Sequence, residues 1–323
     1  MQFDLDAAEN MLSNIVQPLA HRFKIRKGPD GVLLFDRHTG VNILIDEVQV
    51  SPELWDMAPR HVSIALTNVC DLSCYHCFAP KSPDSLDLER LIVWLDELNA
   101  NGCIGVGFGG GEPTLYKNLS DVCRYVAQNT SMAVTLTTHG HHIDDQLAAS
   151  LKGNVHFIRV SMDGIGVTYE KIRKRPFASL LRRLEVVREI APFGINYLVN
   201  PMTLPEIDAA IKIAAEAGAS ALLLLPELPT NRSSGIDGRT MQALRKWVKS
   251  YDGPVPLAVS EEGREEMPIA EPLPKEAGLR AYAHIDASGT LKRFSYDKHG
   301  VPIGMGGITE ALELLKLKLE VPK

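Results

Sequence analysis

The chain has 323 residues, of which 45% are hydrophobic and 23% are charged, and its formal net charge is −6. This length suits one large domain with appendages or two domains, and the composition is ordinary for a globular protein. The acidic balance gives no reason to expect nucleic acid as a partner, and the longest apolar run, 219–225, is too short to cross a bilayer. Five cysteines, three of them clustered, and no N-terminal secretion signal predict a cytoplasmic protein without membrane contact.

Residues 1–60 are predicted to form a small N-terminal α/β unit. An apolar stripe from Ala7 to Val16 indicates a leading helix. Three short apolar runs separated by Gly- and Asp-rich turns then predict an antiparallel meander, with strands at Phe23–Arg26, Val32–Phe35 and Val41–Ile45. An exposed sheet edge can accept an extended peptide as an extra strand, so this unit is a candidate peptide-recognition element.

Between residues 61 and 259, short β-branched runs alternate with amphipathic helical stretches. The six runs are Val62–Leu66, Cys103–Phe108, Ala133–Thr138, Phe157–Ser161, Ile195–Val199 and Ala221–Leu225. The clearest helical stripe is Leu88 to Leu98, with Ser85 or Asp87 as its cap, and two more lie in 180–190 and 207–214. Six β–α repeats predict a parallel sheet, either open or curled toward a barrel.

The remaining chain divides into two stretches. Residues 260–277 are acidic and proline-rich, which indicates a linker or a surface loop. Residues 278–323 are predicted to form a hairpin followed by a helix, with strands at Ala283–Asp286 and Leu291–Phe294 and the helix from Ile308 to Leu319.

The most informative motif is a cysteine loop directly after the first run. Cys70, Cys74 and Cys77 fall within eight residues, and the segment 109–113, Gly-Gly-Gly-Glu-Pro, closes the second run. Three thiolates on one tight loop can bind three irons of a [4Fe–4S] cube and leave the fourth iron open to a ligand. A flexible Gly-Gly turn with a carboxylate behind it suits a zwitterionic ligand that carries an amino group. With C-x3-C-x2-C followed by Gly-Gly-Glu-Pro, the chain resembles the radical S-adenosylmethionine (SAM) superfamily.

This resemblance implies a partial (β/α)6 TIM barrel of the radical SAM type, with one [4Fe–4S] cluster and SAM as cofactors. The predicted fold class is therefore α/β, made of this barrel, the N-terminal meander and the C-terminal hairpin–helix extension. The carboxyl ends of barrel strands meet on one face, and the unusual polar residues of this chain follow its predicted strands. We therefore expect them to share one site.

The resemblance also implies a role for each matching position. Cys70, Cys74 and Cys77 are the implied cluster ligands and, together with Glu112, the implied catalytic set. The implied cofactor-binding residues are His76, Gly110, Gly111, Glu112, Pro113, Thr138, Ser161, Asp163, Asn200 and Leu225. Of these, the Gly-Gly-Glu turn is expected to bind the methionine amino group, and Ser161 and Asp163 its carboxylate or the ribose. The family often has Thr-Asn-Gly where this chain has Thr-His-Gly, so His139 departs from the pattern.

Other interpretations of the cysteines remain open. The three clustered thiols could hold zinc together with His76 or a remote ligand, although no second C-x2-C knuckle exists to support a structural zinc site. Cys103 and Cys123 are predicted to be buried apolar residues, with a hydrogen-donor thiol as the alternative.

Two polar clusters are predicted to be solvated. His139, His141 and His142 are expected to form a solvent-exposed loop, with metal binding as the alternative. The run 173–175, Arg-Lys-Arg, is expected to be a solvated helix start, with contact to an acidic peptide or a phosphate as the alternative.

The C-terminal extension resembles the SPASM or twitch extension of peptide-modifying radical SAM enzymes. No cysteine follows Cys123, so an auxiliary cluster is not expected. The leading hypothesis is a maturase of a ribosomally synthesised precursor peptide, for example a splicease or an epimerase. Its expected partners are the peptide, a small leader-recognition protein and a flavodoxin- or ferredoxin-like electron donor. The alternatives are an enzyme that acts on a nucleotide, sugar or cofactor precursor, and a non-catalytic scaffold that binds the cluster and SAM.

Overall fold

A computed structural model describes residues 22–260, 263–268 and 273–320, and the predicted leading helix lies outside these residues. The strands are β1 Lys24–Gly28, β2 Gly31–Phe35, β3 Asn42–Ile45, β4 His61–Thr67, β5 Gly105–Gly110, β6 Ala133–Thr138, β7 Phe157–Ser161, β8 Phe193–Val199, β9 Ala221–Pro226, β10 Leu257–Val259, β11 Tyr282–Ile285, β12 Thr290–Lys292 and β13 Val301–Pro302. The helices are α1 Leu88–Ala100, α2 Leu119–Asn129, α3 Asp145–Leu151, α4 Gly166–Arg173, α5 Phe177–Val187, α6 Ile207–Glu216, α7 Gly238–Ser250 and α8 Gly307–Glu320.

Ten strands form the main sheet in the order β10-β9-β8-β7-β6-β5-β4-β11-β12-β13. The six predicted runs are its strands β4 to β9, and neighbours among them pair in parallel. Strand β10 adds a parallel strand beside β9, and β11 adds another beside β4. The partial barrel is confirmed, and the predicted C-terminal hairpin joins the same sheet through β11 and β12.

The two faces of the main sheet differ in chemistry because strand side chains alternate. On β5, Val106 and Phe108 are fully buried against the helices, whereas the opposite face carries only glycines. A Cβ atom on Gly107 would lie 2.9 Å from the Thr135 Oγ1 atom of β6. The inner face of the barrel, which we call the lumen, therefore stays free of side chains along β5.

The helices cover the outer face of the sheet. Helix α1 shows how the sequence directs this: the Asp87 side chain accepts a hydrogen bond from the Arg90 N–H at its first turn. Leu91, Leu95 and Leu98 of the predicted stripe are then buried in the core. No helix in the described part of the chain is long and apolar enough to span a membrane.

The predicted meander is confirmed as an antiparallel sheet in the order β1-β2-β3. It is attached through Arg26, whose Nη1 donates to the carbonyl oxygens of Ala58 and Gly102, the residues that precede β4 and β5. Arg37 similarly donates to the carbonyls of Thr130 and Met132, ahead of β6. The meander therefore lies at the amino ends of the barrel strands, which we call the base, opposite the cysteine loop.

Candidate functional site

The cysteine loop leaves β4 at its carboxyl end and turns back on itself. The backbone N–H of Cys77 donates to the Cys74 carbonyl at 3.2 Å, and the Leu72 N–H donates to the Cys70 Sγ at 3.4 Å. Cys74 is buried, while Cys70 and Cys77 are half-buried. The turn therefore gathers the three cysteines on one short loop, with one sulfur atom already accepting a backbone hydrogen bond.

The three thiols also act on one another electrostatically. Burial raises the pKa of Cys74, the Arg173 guanidinium opposes this, and the thiols of Cys77 and Cys70 raise it further. Burial likewise raises the pKa of Cys70. Three cysteines on one open loop, with an N–H···S bond to one of them, fit an iron–sulfur cluster held by three thiolates.

The glycine turn packs directly on this loop. The Gly111 N–H donates to the Thr67 carbonyl at 2.7 Å, and the Glu112 N–H donates to the Val69 carbonyl at 2.8 Å. Gly110 has a φ of +123°, and a Cβ atom on Gly111 would lie 2.3 Å from the Val69 carbonyl oxygen. Only glycine permits so close an approach. Pro113, which is buried, opens the short 3-10 turn that follows.

Glu112 ties this turn to the end of β6. Its Oε1 accepts hydrogen bonds from the Thr138 hydroxyl at 2.6 Å and the Thr114 hydroxyl at 2.7 Å. Its Oε2 accepts the His139 backbone N–H at 3.0 Å, and the residue is 1% exposed. The carboxylate that the sequence assigns to the SAM amino group therefore also holds Thr138 and His139 in place.

The prediction that His139 lies in a solvated loop is wrong, because it is buried between two carboxylates. The His141 backbone N–H donates to Nδ1 of His139 at 3.1 Å, so neutral His139 carries its proton on Nε2. This Nε2 lies 3.0 Å from the Asp71 Oδ1 and 3.3 Å from the Glu112 Oε2. His139 thus connects the cysteine loop, through Asp71, with the glycine turn.

Asp71 is the centre of a wider charged group. Its Oδ2 lies 2.8 Å from Nη2 of Arg175 and 3.1 Å from Nε2 of His142. Burial raises the pKa of Asp71, but the hydrogen bonds from Arg175 and His139 more than offset this and hold its pKa low. Cys70, Asp71 and His139 are also the one group of potential metal ligands that converges in the described part of the chain. His76, the ligand named in the zinc alternative, is not part of this group, and its Nε2 lies 3.3 Å from the Asp163 Oδ2.

The prediction of a solvated helix start at 173–175 is also wrong. Arg173 ends α4 rather than starting a helix, and its Nε lies 2.5 Å from the Asp163 Oδ2 in a buried ion pair. Asp163 raises the pKa of Arg173 against the effect of burial. Asp163, predicted as a SAM contact, therefore holds a buried cation beside Cys74.

Asn200 belongs to a third polar group. Its Nδ2 donates to the Glu227 Oε2 at 2.6 Å and to the Tyr75 hydroxyl oxygen at 2.8 Å. Burial and the neighbouring Glu227 carboxylate raise the pKa of Tyr75 to about 12, so the phenol stays neutral. The loop after β9 is thereby fastened to the cysteine loop.

Ser161 and Leu225 lie on the lumen face of β7 and β9, on the strands that border β8. All the predicted site residues therefore follow, or end, strands at one end of the barrel. Cys103 and Cys123 are fully buried as predicted, and burial raises the pKa of Cys103 to about 11. Cys103 lies at the base, away from this site.

Two residues of this site were not found from the sequence, Asp71 and Tyr75. Both lie inside the cysteine motif, so their positions were available signals. Glu227 directly follows the sixth run and is one of the polar residues expected at the strand ends. Arg173 was expected to be solvated, and only the fold of α4 brings it to Asp163.

The profile of the Radical SAM superfamily matches residues 64–217. Those residues form a radical SAM domain. Membership implies an iron–sulfur cluster and SAM as cofactors, which the thiol loop and glycine turn fit. Strands β4 to β8 and the cysteine loop lie within the matched range.

Two relatives illustrate the similarity in sequence. The Fe-coproporphyrin III synthase of Methanosarcina barkeri is 31% identical over 159 residues, which cover 47% of this chain and 40% of that protein. The sporulation killing factor maturation protein SkfB of Bacillus subtilis is 28% identical over 185 residues, which cover 54% of this chain and 45% of SkfB. The chain thus spans less than half the length of each of these two relatives.

The solved structure of Streptococcus suis SuiB bound to S-adenosylmethionine resembles the whole described fold. Its TM-score is 0.68 at 13% identity, and the alignment covers 93% of this chain and 87% of SuiB. This likeness supports the architecture alone, including regions outside the radical SAM domain.

Proposed function

We propose that this protein is a radical SAM enzyme that modifies a ribosomally synthesised precursor peptide. The observation that carries the enzymatic part is the packing of the three-thiol loop on the glycine turn, inside a radical SAM domain. One cluster is proposed, of the [4Fe–4S] type, because the chain has three clustered thiols and its other two cysteines are buried elsewhere.

When bound, a [4Fe–4S] cluster would supply the electron that cleaves SAM to methionine and a 5′-deoxyadenosyl radical, which takes a hydrogen atom from the substrate. Cys70, Cys74 and Cys77 hold the cluster in this proposal, and the Gly110–Glu112 turn binds the amino group beside it. The glycine-lined lumen leaves room for the adenosyl group, between Ser161 and Leu225.

The peptide substrate is supported by the names of two similar proteins and by one feature of the fold. SkfB is named as a maturation protein, and SuiB has also been solved with its precursor peptide SuiA. On this chain, β3 pairs only with β2 in the described sheet, and Val41 and Ile43 beside its edge are exposed. An extended leader segment could add to this edge as a fourth strand.

The position of the meander constrains such a peptide. Because β3 belongs to a sheet attached at the base, a bound leader is separated from the cysteine loop by at least the length of a barrel strand. Strand β4 has seven residues, and an extended chain rises about 3.3 Å per residue. We therefore propose that at least about seven residues separate the leader from the modified residue.

The proposed partners are a small leader-recognition protein and a flavodoxin- or ferredoxin-like electron donor. The chemistry needs the electron donor because the electron must come from a low potential. The proposed compartment is the reducing cytoplasm, because the five cysteines are free and a cluster of this kind needs reduced thiols.

A small-molecule substrate is the second candidate, favoured by the similarity to Fe-coproporphyrin III synthase. A non-catalytic scaffold is the third. The test is anaerobic incubation of the reconstituted protein with SAM and dithionite, followed by measurement of 5′-deoxyadenosine. The enzyme proposal expects its formation, whereas intact SAM in fully loaded protein supports the scaffold.

The substrate is tested with Ile43→Lys, which puts a charge on the proposed leader edge, and Val93→Lys, which changes an exposed apolar residue of α1 instead. The peptide proposal expects Ile43→Lys to weaken binding of a peptide encoded by a neighbouring short reading frame about tenfold or more. Val93→Lys is expected to leave binding unchanged, and neither variant should change SAM cleavage without substrate. Equal peptide binding by both variants would remove the leader site.

A further inference from the structure

One arginine lies inside the barrel. In the register of the sheet, Arg159 on β7 lies between Thr137 on β6 and Gly194 on β8. Its neighbours in sequence, Ile158 and Val160, are fully buried in the core under the helices. Because strand side chains alternate, Arg159 points to the lumen, one step below the pair formed by Ser161 and Asn196.

The lumen is open at this level. Thr137 is exposed although it belongs to a central strand of the sheet. Gly194, on the other side of Arg159, carries no side chain, and a Cβ atom there would lie 3.2 Å from Nη1 of Arg159. The arginine therefore borders a space that a ligand can enter.

The guanidinium group has no counter-charge. Its Cζ atom lies 5.2 Å from the centre of the Phe157 ring, and its Nη1 atom is buried without a hydrogen-bond partner. No ion pair to Arg159 exists among residues 22–260, 263–268 and 273–320. Burial lowers the pKa of Arg159, with no carboxylate to oppose it.

The surrounding groups are neutral hydrogen-bonding groups. Burial, together with the charges of Arg60 and Arg159, lowers the pKa of His61 to about 4, so this imidazole is uncharged near neutral pH. The Oδ1 atom of Asn196, one step above, is also buried without a donor. A cation without a counter-ion in such surroundings destabilises the ligand-free protein. Unpaired polar groups of this kind call for an explanation, and a bound ligand that supplies the missing partner is one.

We propose that Arg159 binds a carboxylate group of the substrate inside the barrel. A planar guanidinium is suited to a two-point hydrogen bond with a carboxylate, and the Phe157 ring packs beside it. The free Oδ1 of Asn196 accepts an N–H from the same molecule. This inference rests on the proposed function and adds that the substrate is acidic, whether it is a peptide side chain or a carboxylated small molecule.

SAM also has a carboxylate, which is the other source of the same chemistry. The geometry favours the substrate. Arg173 lies beside Cys74, at the end of the barrel where SAM is proposed to bind. Arg159 lies deeper in the lumen, below Ser161. The experiment separates the two sources by measuring SAM and the acidic probe independently.

The test uses the full chain, reconstituted anaerobically and saturated with SAM. The probes are N-acetyl-glutamate amide, which has one side-chain carboxylate, and its neutral analogue N-acetyl-glutamine amide. The variants are Arg159→Met, and Arg188→Met as a matched control on an exposed arginine of the outer surface. Binding of each probe is measured by calorimetry, and binding of SAM is measured separately without probe.

The wild-type protein is expected to bind the acidic probe about tenfold or more tightly than the neutral one, since hydrogen bonds to charged groups are worth roughly 1.5–3 kcal/mol. Arg159→Met should abolish this preference without weakening SAM binding, and Arg188→Met should retain it. Because Met removes a partly buried charge that has no counter-ion, the midpoint of urea unfolding of Arg159→Met should equal or exceed that of the wild type. If Arg159→Met fails to fold, Arg159→Gln replaces it with the same expectation for the probes.

Equal binding of the two probes by the wild type, including no binding of either, would overturn the proposal. A preference that survives Arg159→Met would do the same, and a loss of SAM affinity alone would assign the arginine to SAM. These results are separate from failure of the proposed function, which would appear as absence of 5′-deoxyadenosine in the wild type.

Discussion

Two arginines at different levels of the barrel, Arg26 and Arg159, show how its base differs from its lumen. At the base, Nε of Arg26 forms an ion pair with Glu276 at 2.7 Å, and its other nitrogens donate to the carbonyls of Ala58, Gly102 and Arg280. In the lumen, Arg159 has an aromatic ring beside it and a buried nitrogen without a partner.

The same contrast holds for the wider regions. Three buried side-chain atoms of the described residues, in His76, Arg159 and Asn196, have neither a hydrogen bond nor an ion pair. All three line the lumen or the end of the barrel with the cysteine loop, and none lies at the base. Native proteins pair nearly all buried polar atoms, so this concentration marks the region where ligands complete the structure.

The largest effect is expected from removing the counter-charge at the base. Glu276→Gln leaves Arg26 buried without an ion-pair partner, so the base then contains an arginine without a counter-charge, as the lumen does. We expect a loss of roughly 3–5 kcal/mol in the free energy of unfolding, measured in urea. The double variant Arg26→Met with Glu276→Leu removes both buried charges, so its loss should be smaller than that of Glu276→Gln. A part of the loss remains, because the carbonyls that Arg26 reaches lose their donor and the partly exposed Arg60 loses its carboxylate. Equal losses in both proteins would show that packing, rather than the unpaired charge, decides stability here.

A second large effect is expected where the glycine turn meets the cysteine loop. Gly111→Ala places a methyl group 2.3 Å from a backbone carbonyl oxygen, and overpacking of this kind costs roughly 1–3 kcal/mol. Gly238→Ala is the control, since this glycine begins α7 with no atom near its Cβ position. It should be neutral or slightly stabilising. Equal thermal midpoints for Gly111→Ala and the wild type would contradict the close contact.

The barrel strands and the positions of the motifs at their ends could be predicted from the sequence, because strand alternation and strand-end motifs are local signals. The six runs became β4 to β9, and the cysteine and glycine motifs fell at the carboxyl ends of β4 and β5. The polar networks could not be predicted. Tyr75 meets Glu227 across 152 positions and Asp71 meets Arg175 across 104, so only the folded chain brings these pairs together.

The prediction for His139 was wrong for a related reason. Three histidines close together in a loop are usually solvated, but Glu112 and Asp71 approach His139 from two other segments. Strand β10 and helix α7 were also not predicted. Three residues suffice for β10 because β9 supplies its hydrogen bonds.

An intermediate effect is expected at His139, which links the two carboxylates. His139→Leu removes the Nε2 donor and leaves buried acceptors unsatisfied, at a cost of roughly 1–3 kcal/mol in unfolding free energy. His139→Gln can place an amide N–H near the position of Nε2 and should recover most of the loss. His139→Asn, whose amide is one bond shorter, should not. Equal stability of the Leu and Gln variants would contradict the assigned tautomer.

The smallest effect concerns backbone strain next to Arg173. Lys174, which caps α4 directly after its last residue, has a φ of 55°, a conformation that glycine adopts more easily. Lys174→Gly is expected to raise the free energy of unfolding by up to about 1 kcal/mol. Lys152 ends α3 with a φ of −59°, so Lys152→Gly should lower it instead. The same sign for both variants, measured in urea, would show that this strain is absent.

The central claim, that three thiolates at the carboxyl end of the barrel hold a cluster that binds SAM, is tested most directly by anaerobic reconstitution with iron and sulfide. The account predicts about four irons per chain and a change in the electron paramagnetic resonance spectrum of the reduced protein when SAM is added. Both should be lost when Cys70, Cys74 or Cys77 becomes Ala and kept in Cys103→Ala and Cys123→Ala. A single zinc per chain, or a spectrum that SAM leaves unchanged, would contradict it.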